Sequence, residues 1–187
     1  MDTALRWTSA DLEVLPDDGK RYEIIDGELY VSKQPHWHHQ LACSQLIRFL
    51  GDWSEQTGVG LVNMAPGLIF GDNDDVVPDV VWISKERLAT ALGPDGHLHA
   101  APELAVEVLS PGSANERRDR EAKLKLYSVR GVQEYWIVDW RQRQVEVYRR
   151  EQAALRLAET LYEEDDLRSP LLPGFALPVK RLFAGMQ

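Results

Sequence analysis

The segment Glu103-Leu104-Ala105-Val106-Glu107-Val108-Leu109 constrains this chain more than any other. It is short, rich in Val and Leu, and closed by Pro111-Gly112, which fits a strand buried on both faces better than a helix. Such a strand belongs in the middle of a sheet with helices packed against it. Side chains alternate along a strand, so Leu104, Val106 and Val108 point one way and Ala105, Glu107 and Leu109 the other. The carboxylate of Glu107 therefore stands inside a core. That costs several kcal/mol unless the group is paired or coordinated, and a salt bridge at the sheet edge is the plain alternative.

The remaining elements are arranged to cover that strand. Thr8–Leu15 reads as a short capped helix, and Arg21–Ile25 and Glu28–Ser32 as a hairpin around Asp26-Gly27. From His36 to Glu55, His39, Ala42, Cys43, Leu46, Leu50 and Trp53 recur at helical spacing. Strand-like runs follow at Gly60–Asn63, Gly67–Phe70 and Asp79–Ile83, then a surface helix over Lys85–Leu92. Ala114–Arg130 reads as a helix stopped by Gly131, and Glu134–Asp139, Gln144–Tyr148 and Leu155–Thr160 as strands. The apolar tail Ser169–Phe175 is expected to pack back on the body. The result is an α/β (α+β) three-layer domain, a mixed central sheet flanked by helices with an extra N-terminal hairpin.

Composition narrows the classes. With 44% hydrophobic and 27% charged residues in 187, the chain is globular rather than disordered or fibrous. No apolar run approaches the ~18 residues of a membrane helix. Met1–Trp7 has neither the basic nor the apolar stretch of a secretory leader, and the lone Cys43 cannot form an internal disulfide. A reducing cytoplasm fits best. A net charge of −9 excludes coating of nucleic acid by bulk electrostatics. It leaves room for a local basic stretch, and Arg117, Arg118, Arg120, Lys123 and Lys125 supply one. The acidic runs Asp72–Asp75 and Glu163–Asp166 read as solvated faces.

Two further residues, Asp79 and Lys123, fit a purely structural role poorly, and Glu23 and His39 are candidates of lower rank. Asp79 follows Pro78 and opens the apolar run Val80–Ile83. If its strand neighbours that of Glu107, two carboxylates converge and require either a proton or a cation between them. Oxygen ligands with open water positions suit Mg²⁺ or Mn²⁺. Lys123 shares a helix face with Asp119, Ala122, Leu126 and Tyr127, so its ammonium either snorkels to water or points at those carboxylates. Glu23 shares a strand face with Ile25, and His39 opens the buried stripe of the long helix. Zinc is disfavoured, because His36, His38 and His39 have no second ligand cluster at suitable spacing.

Taken in order, the motifs Tyr22–Leu29, His39-Gln40, Pro78-Asp79, Pro102–Pro111, Asp119…Lys123…Tyr127 and Gly131–Asp139 closely resemble the Uma family, within the PD-(D/E)xK nuclease superfamily. The resemblance runs from about Tyr22 to Tyr148 and extends to the Leu171-Leu172-Pro173-Gly174 tail. It implies a restriction-endonuclease-like core over 36–150, preceded by a helix and hairpin extension over 1–35. A C-terminal extension over 151–187 would pack on that core, all within one domain, 1–187. It also implies metal-dependent phosphodiester hydrolysis, with Asp79, Glu107 and a backbone carbonyl near Val108 holding the metal. The superfamily lysine is expected two residues after the acid, where this chain has Leu109; the family-like solution is a lysine on the next helix, Lys123. Glu23 and His39 would bound the site, and Arg117, Arg118 and Arg120 would guide a phosphate backbone, DNA before RNA. Cutting both strands would need two copies, hence a homodimer. The competing reading is a nuclease-fold module that binds nucleic acid or protein without hydrolysis, in keeping with the acidic charge and Leu109.

Overall fold

A computed structural model describes residues 5–186; residues 1–4, part of both the leader reading and the N-terminal extension, lie outside it, as does residue 187. Helix α1 (Ser9–Leu12) begins where Asp11 accepts from the Thr8 amide at 2.7 Å. Strands β1 (Arg21–Ile25) and β2 (Glu28–Ser32) form the expected hairpin, with Asp26 and Gly27 at φ of 50° and 74°. Helix α2 (Trp37–Thr57) ends at Gly58 in the left-handed region, its amide on the Ser54 carbonyl.

Strands β3 (Gly60–Met64), β4 (Leu68–Gly71), β5 (Asp74–Val76) and β6 (Val80–Ser84) lead to helix α3 (Lys85–Ala91) and to β7 (Leu104–Val108). A helical crossover follows in three pieces: α4 (Ser113–Arg117), a π-helical segment over Arg118–Lys123, and α5 (Leu124–Arg130). Strands β8 (Glu134–Asp139), β9 (Gln144–Glu151) and β10 (Ala154–Leu161) come next. The short β11 (Asp166–Leu167), β12 (Leu177–Pro178) and helix α6 (Val179–Leu182) complete the chain.

The central sheet has the order β10-β9-β8-β7-β6-β3. Strands β7 and β8 run parallel, joined by the crossover, and the other neighbours run antiparallel. As its apolar alternation requires, β7 is buried along its whole length. One face of the sheet packs Val80, Val106 and Trp136 against Leu46 and Leu50 of α2. The other packs Ala105, Tyr135 and Ile137 against Leu126 and Tyr127 of α5. Glu107 belongs to this second face, beside Ala105 and Leu109. In the tail, Leu172 and Phe175 are buried in the first core.

Two features depart from the expected elements. A second sheet of order β2-β1-β5-β4 lies on the Glu107 side, contributing Ile25, Leu68 and Val76 to the second core. Part of the run expected to be a solvated acidic face is therefore strand β5. Asp74 is buried there, accepting the Asp26 amide at 2.8 Å and pairing with Arg130. The second departure is the π segment, where an unbroken α-helix is expected. Its wider turn brings Arg118, Asp119 and Lys123 all inward.

Candidate active site

Strands β6 and β7 pair antiparallel, Val80 opposite Val106, so the residues one step further on are Asp79 and Glu107. The two carboxylates come together because neighbouring strands end at the same edge. Both are buried. Asp79 is fixed through Oδ2, which accepts from the Val108 amide at 2.9 Å and faces His39 Nε2 at 3.1 Å. Its Oδ1 accepts from Arg21 Nη1 at 3.1 Å.

Glu107 is held from the crossover. Its Oε1 accepts from Lys123 Nζ at 2.8 Å and from the Tyr127 hydroxyl at 2.9 Å. Both bonds fall on one oxygen, so Oε2 remains available. Lys123 also stands 2.8 Å from Oε1 of Glu23, which accepts the Val77 amide at 2.8 Å. The ammonium thus bridges the two sheets, and at 0% exposure it does not snorkel. The other oxygen of Glu23, Oε2, is buried without a hydrogen-bond partner, 3.5 Å from Arg118.

The ionisation states follow from these contacts. Burial by itself raises the Asp79 carboxyl, but the bond and charge of His39, with Lys123 and Arg21, outweigh it and hold Asp79 well below the usual range. Glu107 behaves oppositely. Burial pushes it up to about 8; Lys123 opposes the rise, and the nearby Asp79, Asp119 and Glu23 add to it. Burial raises Glu23 too, yet Lys123, Arg118 and the Val77 amide bring it below its ordinary value. Lys123 is lowered by burial and raised further by Glu107 and Glu23, so it keeps its proton. The His39 ring sits between Asp79 and Gln40 Oε1, 3.2 Å from Nδ1, and Asp79 raises it despite burial. Cys43 Sγ lies 3.8 Å from the same Nδ1.

The three basic residues expected to guide a phosphate differ in what they face. Arg117 is exposed. Arg118 is buried against Asp119 at 2.8 Å and also bonded to Ser32, at the wall of a cleft that contains Asp79. Arg120 is paired with Glu146. The π segment turns Arg118 inward, where the sheet face already holds acidic partners. The cleft, of about 300 Å³, opens over Asp79, and its basic lining comes from Lys20, Arg21 and Lys33 of the hairpin region, with His39 and Arg118. The same alternation that singles out Glu23 puts Arg21 on its strand face, a signal that was available in the sequence. Tyr127 was legible only as core.

Among the described residues, His39, Cys43 and Asp79 offer ligand atoms within 4.8 Å of one another. Asp79 thus belongs both to this cluster and to the pair of carboxylates it forms with Glu107 across β6 and β7. The Asp79–Glu107 pair offers oxygen donors only, with Asp79 held ionised and Glu107 sharing one oxygen with Lys123 and Tyr127, a donor set that suits a hard divalent ion.

A family model described as "Putative restriction endonuclease", Uma2, matches residues 9–180. This chain belongs to the Uma2 family. The fold agrees: a crystal structure described as a "putative nuclease belonging to DUF820" from Anabaena variabilis ATCC 29413 superposes with a TM-score of 0.74. That match covers 94% of this chain and 97% of the other at 20% identity, so it speaks to the fold alone. No curated protein matches the sequence. The Uma2 match spans both sheets, the hairpin that carries Arg21 and Glu23 included. Within this Uma2 chain no described helix is long and apolar enough to cross a membrane.

Proposed function

We propose that this protein is a divalent-metal-dependent endonuclease that hydrolyses phosphodiester bonds, DNA in preference to RNA. One observation carries the reading: Asp79 and Glu107 stand at the same edge of paired strands, with Lys123 clamped against Glu107 and a basic cleft opening over Asp79. Asp79, Glu107 and the Val108 carbonyl would hold Mg²⁺ or Mn²⁺. When bound, such an ion makes a coordinated water more acidic and offsets charge on the phosphate.

The chain's own groups do the rest. The ammonium of Lys123, kept protonated by two carboxylates, orients the attacking water or stabilises the charge that builds on the phosphate oxygens. Glu23 positions that ammonium from the second sheet, and His39 positions Asp79. The lysine comes from the crossover helix rather than the strand because Leu109, two residues after the acid, is committed to the core. We further propose that two copies associate to cut both strands.

The test is nicking of plasmid DNA in Mg²⁺ by wild type, Asp79→Ala, Glu107→Gln and Lys123→Ala. Each variant should lose about 10²-fold or more. Full activity in Asp79→Ala would exclude this mechanism. The burial of Lys123 between two carboxylates also favours a second reading, a nuclease-fold module that binds without cutting. Duplex binding in Ca²⁺ with no cleavage in Mg²⁺ or Mn²⁺ would select it.

A further inference from the structure

We propose that Arg21 is an exchangeable cation: it occupies the open oxygen of Asp79 in the absence of a divalent ion and turns to a backbone phosphate when the ion takes that oxygen. This deepens the nuclease reading and rests on it.

The assignment starts from the unequal surroundings of the two Asp79 oxygens. Oδ2 already has two partners, the Val108 amide and the His39 ring, both anchored in buried structure. Oδ1 has only Arg21, so it is the oxygen left for an incoming cation. A guanidinium and a divalent ion repel each other across a shared oxygen, and one must yield.

Of the cations around the two carboxylates, Arg21 is the one built to move. Lys123 is fully buried, and Arg118 is locked against Asp119 and Ser32. Arg21 keeps 36% of its side chain exposed. It meets Asp79 through Nη1 alone, which it shares with the Val77 carbonyl at 3.3 Å. The paired-fork geometry that makes Arg–carboxylate contacts strong is absent here. Leaving Asp79 therefore breaks one charged contact without stranding a buried cation.

The direction of release is set by the cleft. Arg21 lines it, as do Lys20 and Lys33, both exposed. Lys20 pairs with Asp18 at the surface. In a chain of net charge −9, this is a local positive concentration facing the carboxylate. A planar fork turned toward it matches a phosphate group, which Arg binds through two parallel N–H bonds. The exchange would couple ion binding to substrate capture: the ion frees the arginine, and the phosphate gives it a new partner.

The experiment uses the full chain and two readouts besides cleavage. Mn²⁺ affinity without nucleic acid is measured by calorimetry, and binding of a labelled DNA duplex in Ca²⁺ by fluorescence anisotropy. Arg21→Gln should tighten Mn²⁺ about fivefold, because the competing cation is gone. The same variant should weaken duplex binding about tenfold and reduce the salt slope by about 0.9, the loss of one phosphate contact. Lys33→Ala should weaken the duplex while leaving Mn²⁺ affinity unchanged. Arg21→Met, which keeps the aliphatic stem, is a second variant with the same expected signs. Unchanged or weaker Mn²⁺ affinity in both Arg21 variants, with binding still abolished by Asp79→Ala, overturns the exchange and leaves the nuclease reading standing. Mn²⁺ binding that ignores Asp79→Ala overturns both.

Discussion

The Val108 amide donates to Oδ2 of Asp79 at 2.9 Å, tying the first carboxylate to the backbone of the residue that follows the second. The site is thereby a property of two paired strands, and displacement of either would shift both acids. Asp79 is held ionised by this bond and by His39, Lys123 and Arg21, against the opposing effect of burial. Its folded carboxyl lies below the ordinary value of 3.8, so in the window below that value the unfolded chain binds more protons. Stability from this group is present above about pH 3.8 and fades as pH falls through the folded value. Asp79→Asn should cost about 3 kcal/mol at pH 7, by urea unfolding, and progressively less toward strongly acidic pH.

For Glu107 the sign reverses. Burial raises its folded pKa to about 8 from 4.5, so between those values the folded state holds a proton that the unfolded chain releases. Its contribution therefore declines as pH rises from 4.5 to about 8, and a bound cation relieves the loss. Mn²⁺ should raise the melting temperature more at pH 8.5 than at pH 6. Titration into weakly buffered protein at pH 7 should release close to one proton, a signal that Glu107→Gln abolishes.

Tyr127 supplies a sharper check of the same group. Its hydroxyl donates to the Glu107 oxygen that Lys123 also holds, and that bond favours the carboxylate. In Tyr127→Phe the Glu107 carboxyl should rise further. The pH at which Mn²⁺ binding reaches half its plateau should move upward, with a stability loss of about 1 kcal/mol at pH 9.

Lys123→Met leaves Glu23 and Glu107 buried without their common cation. A loss of about 3–5 kcal/mol in urea unfolding is expected. Because the uncompensated charge is the cause, and Glu23 is the partner held ionised, Lys123→Met combined with Glu23→Gln should recover part of that loss.

Legibility in the sequence followed the range of the interactions. Glu107 betrayed itself by strand alternation and Lys123 by an apolar helix face, both short-range patterns confined to one element. Glu23 and His39 ranked lower because a hairpin and a helix start say nothing about which distant groups they meet. Arg21 has a readable strand face but no readable partner: Asp79 is 58 residues away and reached only once β1 pairs with β5. Strand β5 reads as a solvated acidic face, since a buried Asp74 is tolerable only with the Asp26 amide and Arg130 in place. The π segment left no periodic trace, because six residues of wider turn cannot be told from α spacing.

Glu23 separates two ways of building the site. Its Oε1 serves both the Val77 amide and Lys123, while Oε2 is buried without a donor. If Glu23 only positions Lys123, Glu23→Gln keeps an oxygen for Val77 and loses only the charge that steadies the ammonium. Cleavage should then fall about tenfold through kcat with KM unchanged, since Lys123 still has Glu107. Mn²⁺ affinity should stay near that of wild type. If instead the unpartnered oxygen is an ion ligand, the same variant should weaken Mn²⁺ as severely as Glu107→Gln does. Calorimetry on the two variants side by side decides between them, and the charge held by Lys123 and Arg118 around Glu23 favours the positioning role.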